Sequence, residues 1–329
     1  MKRSMDKKEQ RTAIVTGTSS GFGLHICIEL AAAGIRVAAG MRRPEAADRL
    51  FAAAREADLL QEADLSVGTA EEPYKNSGQA EQLGNLEALG TGPVSSLIFP
   101  IRLDVCDDER VSTAAAEVFD VFGRIDILVN NAGSAMGGFI GEVPMDGWRE
   151  QFAVNVFGMI AMTGAVLPYM REARRGCILQ ISSVSGVMGL PGYGPYVSSK
   201  FALEGFSESL ALETSPYGIR TYVIEPASYK TDIWEKGFAG IYRTDDSPNE
   251  AALKQMLEMS RASAASGGDP RDVAKLAADL ALGRRGRGRF RYVVPRRAAL
   301  LAALKRRLPF RIFQLMMLRI LRPEVRRRS

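Results

Sequence analysis

The stretch TAIVTGTSSGFGLHICIELAAAG, residues 12–34, decides how the rest of the chain is read. It opens on an uninterrupted β-rich apolar run, passes three glycines (Gly17, Gly21 and Gly23) and continues in a helical pattern. An apolar run without alternation suits a strand buried on both faces, as in a parallel sheet. The turn after it must be sharp and must let backbone N–H groups approach an anion. Side chains obstruct that approach, so glycine is favoured. The spacing differs from G-x-G-x-x-G but serves the same end, a phosphate seated at a helix N-terminus.

Outward from this unit the pattern repeats. Further β-rich runs are RVAAGM (36–41), LIFPIRLDV (97–105), ILVNNAG (127–133), CILQISS (177–183), RTYVIEP (220–226) and RYVVP (291–295). Helical patterns lie near 22–33, 45–57, 107–122, 146–172, 197–214 and 270–282, the last begun by the cap Asp269 and by Pro270. The alternation predicts an α/β fold: a Rossmann-type, doubly wound, seven-stranded and mainly parallel sheet with helices on both faces. The expected division is a polar arm (1–11), a catalytic body (12–295) and a basic tail (296–329). Residues 61–94, polar and glycine-rich, read as a surface insertion. Residues 227–268 are long for a connection and carry Tyr229, Trp234, Phe238, Tyr242, Met256 and Met259, so they are expected to form a lid over the substrate.

Composition narrows the chemistry. With His25 as the single histidine, a histidine-based metal cluster is excluded and a Ser-His-Asp hydrolase would have to use that residue. Cys27, Cys106 and Cys177 form no C-x-x-C pair, which speaks against zinc and against a disulfide framework and points to a reducing cytosol. The polar start MKRSMDKKEQRT has no apolar leader, and no run of about 18 apolar residues occurs. A cytoplasmic protein is expected. Acid–base work then falls to tyrosine, lysine or a carboxylate.

YGPYVSSK, residues 193–200, supplies such a pair. Tyr196 and Lys200 share one helix face, and an ammonium beside a phenol favours ionisation of a group that otherwise titrates near pH 10. Tyr193 has Val197 at the same spacing and is expected in the pocket wall. The second strand ends in Met41, Arg42 and Arg43, with no acid where NAD-binding folds often place one for the ribose. A guanidinium there would welcome a 2′-phosphate, so NADP(H) is expected over NAD(H), with Arg42 as main contact and Ser20 as helper.

The net charge of +5 hides an asymmetry. From Arg284 to Ser329 sixteen Lys or Arg face one Glu, so the body is acidic and the tail strongly basic. In the tail Leu300, Leu301, Leu304 and Leu308, then Ile312 to Leu321, alternate with arginines at helical spacing. That pattern suits a helix pair on an anionic membrane surface, a partner interface or cap over the substrate entrance, or a face packed on the body. For nucleic acid only the charge speaks.

Taken in order, TGTSSGFG, LDV (103–105), NNAG (130–133), Asn155 in QFAVNVFG, ISSVSG with Ser183 thirteen residues before Tyr196, and YGPYVSSK resemble the short-chain dehydrogenase/reductase family. The likeness runs from about residue 12 to 295 without the insertion. GFGLHICIELAAAG, MRRP and the long lid are similar to its hydroxysteroid and retinol dehydrogenase branch. The resemblance implies that Tyr196 exchanges the proton at the substrate oxygen and that Ser183 hydrogen-bonds that oxygen. Lys200 would lower the tyrosine's pKa and bind the nicotinamide ribose, and Asn155 would hold a water linking Lys200 to solvent. It implies cofactor contacts from Gly17, Ser19, Ser20, Gly21, Phe22, Gly23, Arg42, Asp104, Val105, Asn131, Ala132, Gly133, Tyr196, Lys200, Pro226 and Thr231. Ala227 departs from the family's Pro-Gly at that point. A homo-oligomer through the helices near 107–122, 146–172 and 197–214 is implied too. The expected activity is NADP(H)-dependent interconversion of a carbonyl and an alcohol on a hydrophobic steroid-, retinoid- or lipid-like molecule. Alternatives are a 3-oxoacyl thioester reductase and a non-catalytic NADP(H) sensor. A sensor has no need of the Ser183, Tyr196 and Lys200 set.

Overall fold

Along the central strands successive residues part into two cores. Ala13 and Val15 enter one apolar layer and Ile14 the other. Ile127 and Val129 likewise separate from Leu128, and Cys177 and Leu179 from Ile178. Both sets are buried because helices cover both faces, which is why these strands read as unbroken apolar runs.

The computed structural model describes residues 10–64, 93–286 and 288–321. Its strands are β1 (Thr12–Thr16), β2 (Arg36–Met41), β3 (Ile98–Arg102), β4 (Ile127–Asn130), β5 (Gly176–Ile181), β6 (Ile219–Pro226) and β7 (Arg291–Val294). They form one sheet in the order β3-β2-β1-β4-β5-β6-β7. Every neighbouring pair is parallel, so the sheet is parallel throughout where a mainly parallel one was expected. The expected runs 97–105 and 127–133 are longer than β3 and β4. Their last residues leave the ladder and form the loops that line a cleft.

The helices between them are α1 (Gly21–Ala32), α2 (Asp48–Asp64), α3 (Asp108–Phe122), α4 (Met145–Glu172), α5 (Gly194–Thr214), α6 (Ile233–Ala239), α7 (Glu250–Ala265) and α8 (Pro270–Ala281). The Asp269 carboxylate accepts the Arg271 N–H to cap α8, and Asp107 caps α3 through the Arg110 N–H. α4 is long and apolar enough to cross a membrane, yet Met162, Val166 and Met170 on it are fully buried against the sheet. The tail continues as α9 (Arg296–Arg307) and α10 (Phe310–Leu321).

Most of the 61–94 insertion lies outside the described residues. Its two ends meet: the Asp58 carboxylate on α2 accepts the backbone N–H groups of Val94 and Ser95, just before β3. This ties α2 to the entry of β3. Residues 227–268, expected to form a lid, carry the two helices α6 and α7.

Strand order reverses between β1 and β4. Connections diverge there, and a crevice opens at the strands' C-terminal ends.

Candidate active site

At that crevice the loop after β1 turns into α1. Gly17 has φ +69°, and a Cβ on it would stand 2.8 Å from the Ala132 Cα. On Gly23 a Cβ would stand 2.3 Å from the Gly17 carbonyl oxygen and 2.5 Å from Asn131 Nδ2. Glycine is required at both places, one for its backbone angle and one for the close approach of α1 to the turn. Thr16 and Asn131 tie this loop to the end of β4. Thr16 Oγ1 accepts the N–H groups of Asn131 (3.0 Å) and Ala132 (2.9 Å). Asn131 Nδ2 donates to the carbonyls of Thr16 and Gly17 at 2.9 and 3.0 Å.

A cavity of about 610 Å³ runs from this cradle to the lid. Gly17, Ser19, Ser20, Gly21, Phe22, Arg42, Asp104, Val105, Asn131, Ala132, Gly133, Ser183, Tyr196, Lys200, Pro226 and Thr231 all line it. Two expected residues stand behind its wall. Gly23 packs beneath Gly17. Asn155 is fully buried within a π-helical turn of α4, Ala153–Phe157. Its amide is consumed by the protein: Oδ1 accepts the Ser134 N–H (2.9 Å), and Nδ2 donates to the Ser134 carbonyl and to Ser199 Oγ, both at 3.0 Å. The extra residue of the turn rotates Asn155 inward, a distortion common at functional sites.

Ser183, Tyr196 and Lys200 meet on the other side. Ser183 caps a short turn after β5 by accepting the Ser185 N–H (3.1 Å), and its hydroxyl, beside the Tyr196 phenol, donates to the Pro226 carbonyl at 3.4 Å. Tyr196 lies in the first turn of α5, after a Gly-Pro start that suits a helix N-terminus. Lys200 is buried, and its Nζ donates to the Ile181 carbonyl at 2.9 Å. Burial disfavours both charged forms. It holds the Tyr196 phenol above its ordinary value, against the Ser183 hydrogen bond, and it draws the Lys200 ammonium down to about 8, against the attraction of Glu204. The lowered tyrosine expected from the sequence is thus not a property of the chain alone, because desolvation outweighs the favourable interaction with Ser183.

The sequence missed several supporting groups. Gln151, fully buried one turn before Asn155, accepts the Met136 N–H (2.7 Å) and donates to the Ser134 carbonyl (2.9 Å), which fixes the loop after β4. Ser199 is the partner of Asn155. Polar residues inside apolar helical patterns were the available signal, but it does not name their partners. Of the lid aromatics and methionines, Tyr229, Trp234, Phe238, Met256 and Met259 line the cavity. Tyr242 does not; it packs against Gly138 and Gly147. Tyr193 is in the wall as expected, and its hydroxyl meets Ser260 Oγ of α7 at 2.9 Å.

The site fits a nicotinamide dinucleotide on its own geometry. The glycine cradle leaves no room for side chains under a pyrophosphate, α1 presents its N-terminus there, and the cavity continues to a buried hydroxyl and ammonium.

Comparison with known proteins places the chain in a family. The family model for short chain dehydrogenases matches residues 11–92 and 76–240. The uncharacterized oxidoreductase YusZ of Bacillus subtilis is 40% identical over 83% of this chain and 85% of its own. Mouse 17-beta-hydroxysteroid dehydrogenase type 1 and human retinol dehydrogenase 8 are each 31% identical, over 80% and 70% of this chain and 68% and 63% of theirs. Among solved structures, a short-chain dehydrogenase from Streptomyces avermitilis superposes with a TM-score of 0.64 at 31% identity, covering 87% of this chain and 88% of that one. The chain belongs to the short-chain dehydrogenase family, near its hydroxysteroid and retinol branch, and is a nicotinamide-dependent oxidoreductase acting between alcohols and carbonyls.

Proposed function

We propose that the protein is an NADP(H)-dependent oxidoreductase that interconverts a carbonyl and an alcohol on a hydrophobic substrate. The observation that carries this reading is the single cavity in which Arg42, the glycine cradle, the Ser183–Tyr196–Lys200 group and an apolar lid all take part. NADP(H), when bound, supplies or accepts the hydride at the substrate carbon. The chain manages the oxygen. Ser183 orients it, and Tyr196 gives or takes its proton through the phenol. Lys200, carrying positive charge next to the phenol, stabilises the phenolate that donation leaves behind. Asn155 acts from behind the wall, holding Ser134 and Ser199. A Cβ on Gly133 would lie 3.4 Å from Asn155 Oδ1 and 3.9 Å from Lys200 Nζ, so both groups border the space beside Gly133, where a water donating to the second lone pair of Oδ1 would link Lys200 to solvent.

The cofactor preference rests on charge. Arg42 lines the cavity directly after β2, and no carboxylate follows that strand there; a 2′-phosphate would find a guanidinium and not an acid. Asp232, a carboxylate elsewhere in the lining, is bound by Arg49 at 2.6 Å. The substrate class rests on the lid, where Trp234, Phe238, Met256 and Met259 supply apolar surface. Steroid-, retinoid- and lipid-like ketones suit it. Self-association is expected through α4 and α5, where Phe157, Ile160, Phe201 and Leu212 stand exposed. The test is a screen of ketones, aldehydes and alcohols, including a 3-oxoacyl thioester, with purified protein and either cofactor, followed by reduced-nicotinamide absorbance. Reduction of greasy ketones with NADPH in preference to NADH supports the reading. Turnover of the thioester alone would replace it, and cofactor binding with no turnover at all would mark a sensor.

A further inference from the structure

The two tail helices present apolar residues outward. On α9, Ala298 and Ala302 pack inward beside β7, while Leu300 and Leu304, one turn apart, are exposed. On α10, Ile312, Leu315, Met316 and Leu318 are all about half exposed. Ile312, Leu315 and Met316 recur at three- and four-residue spacing and therefore share a face. The two helices are joined by Lys305, whose Nζ lies 4.9 Å from the centre of the Phe313 ring and 5.9 Å from that of Phe310. From Arg296 to Arg319 there are seven Lys or Arg and no acidic residue. Aliphatic side chains ringed by cations are of no use to a nucleic-acid backbone, which offers phosphate and stacking surfaces. They match a bilayer with an anionic surface, which takes the apolar face into its interior and the cations into its headgroups.

The opposite face of α10 reaches the catalytic cavity. Met317 lines it together with Met256 and Met259 of α7, against which α10 packs. One helix thus has one face toward solvent and the next side chain in the roof of the site. We infer that α9 and α10 dock the protein on an anionic bilayer, and that the apolar substrate enters beside Met317 directly from the lipid. The substrate class is then a bilayer-resident carbonyl or alcohol. This rests on the oxidoreductase reading, so the two are tested separately.

The test uses the full chain and vesicles of phosphatidylcholine alone, or with about one third phosphatidylglycerol, at about 0.1 M and about 0.5 M salt. Flotation should show binding to the anionic vesicles at low salt, weakened severalfold or more by high salt and by the neutral composition. Leu315→Glu with Met316→Glu, two exposed positions outside the cavity, should lower anionic-vesicle binding about tenfold or more. Arg311→Glu with Arg319→Glu should abolish the preference for phosphatidylglycerol. With NADPH, the Leu315/Met316 variant should reduce 4-nitrobenzaldehyde in water as the wild type does, but should lose about tenfold in kcat/KM for vesicle-borne retinal. The inference is overturned if the full chain ignores anionic vesicles at low salt, or if the Leu315/Met316 variant binds them as well as the wild type. Binding of a DNA duplex in place of vesicles, unaffected by that variant, also overturns it in favour of a nucleic-acid surface. If neither carbonyl is reduced by the wild type, the oxidoreductase reading fails instead, and flotation alone judges the docking surface.

Discussion

The Lys200 ammonium lies 5.8 Å from the centre of the Tyr196 ring, one helical turn along α5, and spends a hydrogen bond on the Ile181 carbonyl. The helix thus anchors the ammonium on the same side as the tyrosine ring. What each contributes can be separated by substitution.

Tyr196→Phe removes the hydroxyl and keeps the ring. Turnover should fall by about 10²–10⁴, the range for loss of a general acid, with cofactor binding and thermal stability close to wild type. Tyr193→Phe loses only the bond to Ser260 on the lid and should act chiefly on KM. Steady-state kinetics on both variants checks this; near-normal turnover in Tyr196→Phe would remove Tyr196 from the mechanism.

Lys200 should cost the cofactor-free protein stability. Its pKa is drawn from the ordinary 10.5 to about 8 in the folded state, so at neutral pH folding buries a charge that water would prefer to keep. The penalty corresponds to about 3 kcal/mol, offset by about 1 kcal/mol for the bond to Ile181. Lys200→Met should therefore stabilise the protein by about 2 kcal/mol at pH 7 while abolishing activity. The penalty is full below the folded value. It fades between about 8 and 10.5, where the unfolded chain binds the extra proton, and it is absent above that window. Denaturant titrations at several pH values should show wild type closing the gap across this window. A variant less stable than wild type at pH 7 would contradict the argument.

Arg42→Ala tests the cofactor reading. Loss of a charge-assisted contact should weaken NADPH by about 1.5–3 kcal/mol and leave NADH nearly unchanged. Fluorescence titration of both cofactors measures this. Equal affinities in the wild type would show that Arg42 is merely solvated.

Gly23→Ala places a methyl group on the Gly17 carbonyl and the Asn131 amide. Both are held by other bonds, so the cradle must shift. A loss of about 1–3 kcal/mol in stability is expected from overpacking, with a larger fall in cofactor affinity. Thermal denaturation with and without NADPH separates the two effects, and wild-type cofactor binding would show that the cradle is softer than its contacts suggest.

Much of this molecule could be read before it was seen folded. Buried parallel strands announce themselves because both faces are apolar, and the glycine turn because no other residue tolerates its geometry. Tyr196 and Lys200 sit on one helix, so their spacing alone brings them together. Residues 103–105 and 131–133 read as strand yet leave the ladder, because Leu103, Val105 and Ala132 continue the apolar pattern while lining the cleft.

What the sequence by itself determined is therefore local: the order of strands and helices, the glycine cradle, the helical pairing of tyrosine and lysine, and the charge of the tail. Tertiary structure decided the rest. It paired Gln151 with Ser134 and Met136, turned Asn155 behind the cavity wall, drew the Lys200 pKa down while holding the Tyr196 phenol up, and brought Met317 over the site. The physical reason is range. Backbone sterics and hydrophobic period act over a few residues, whereas burial, and the partner a polar group finds there, depend on segments that only the closed sheet brings together.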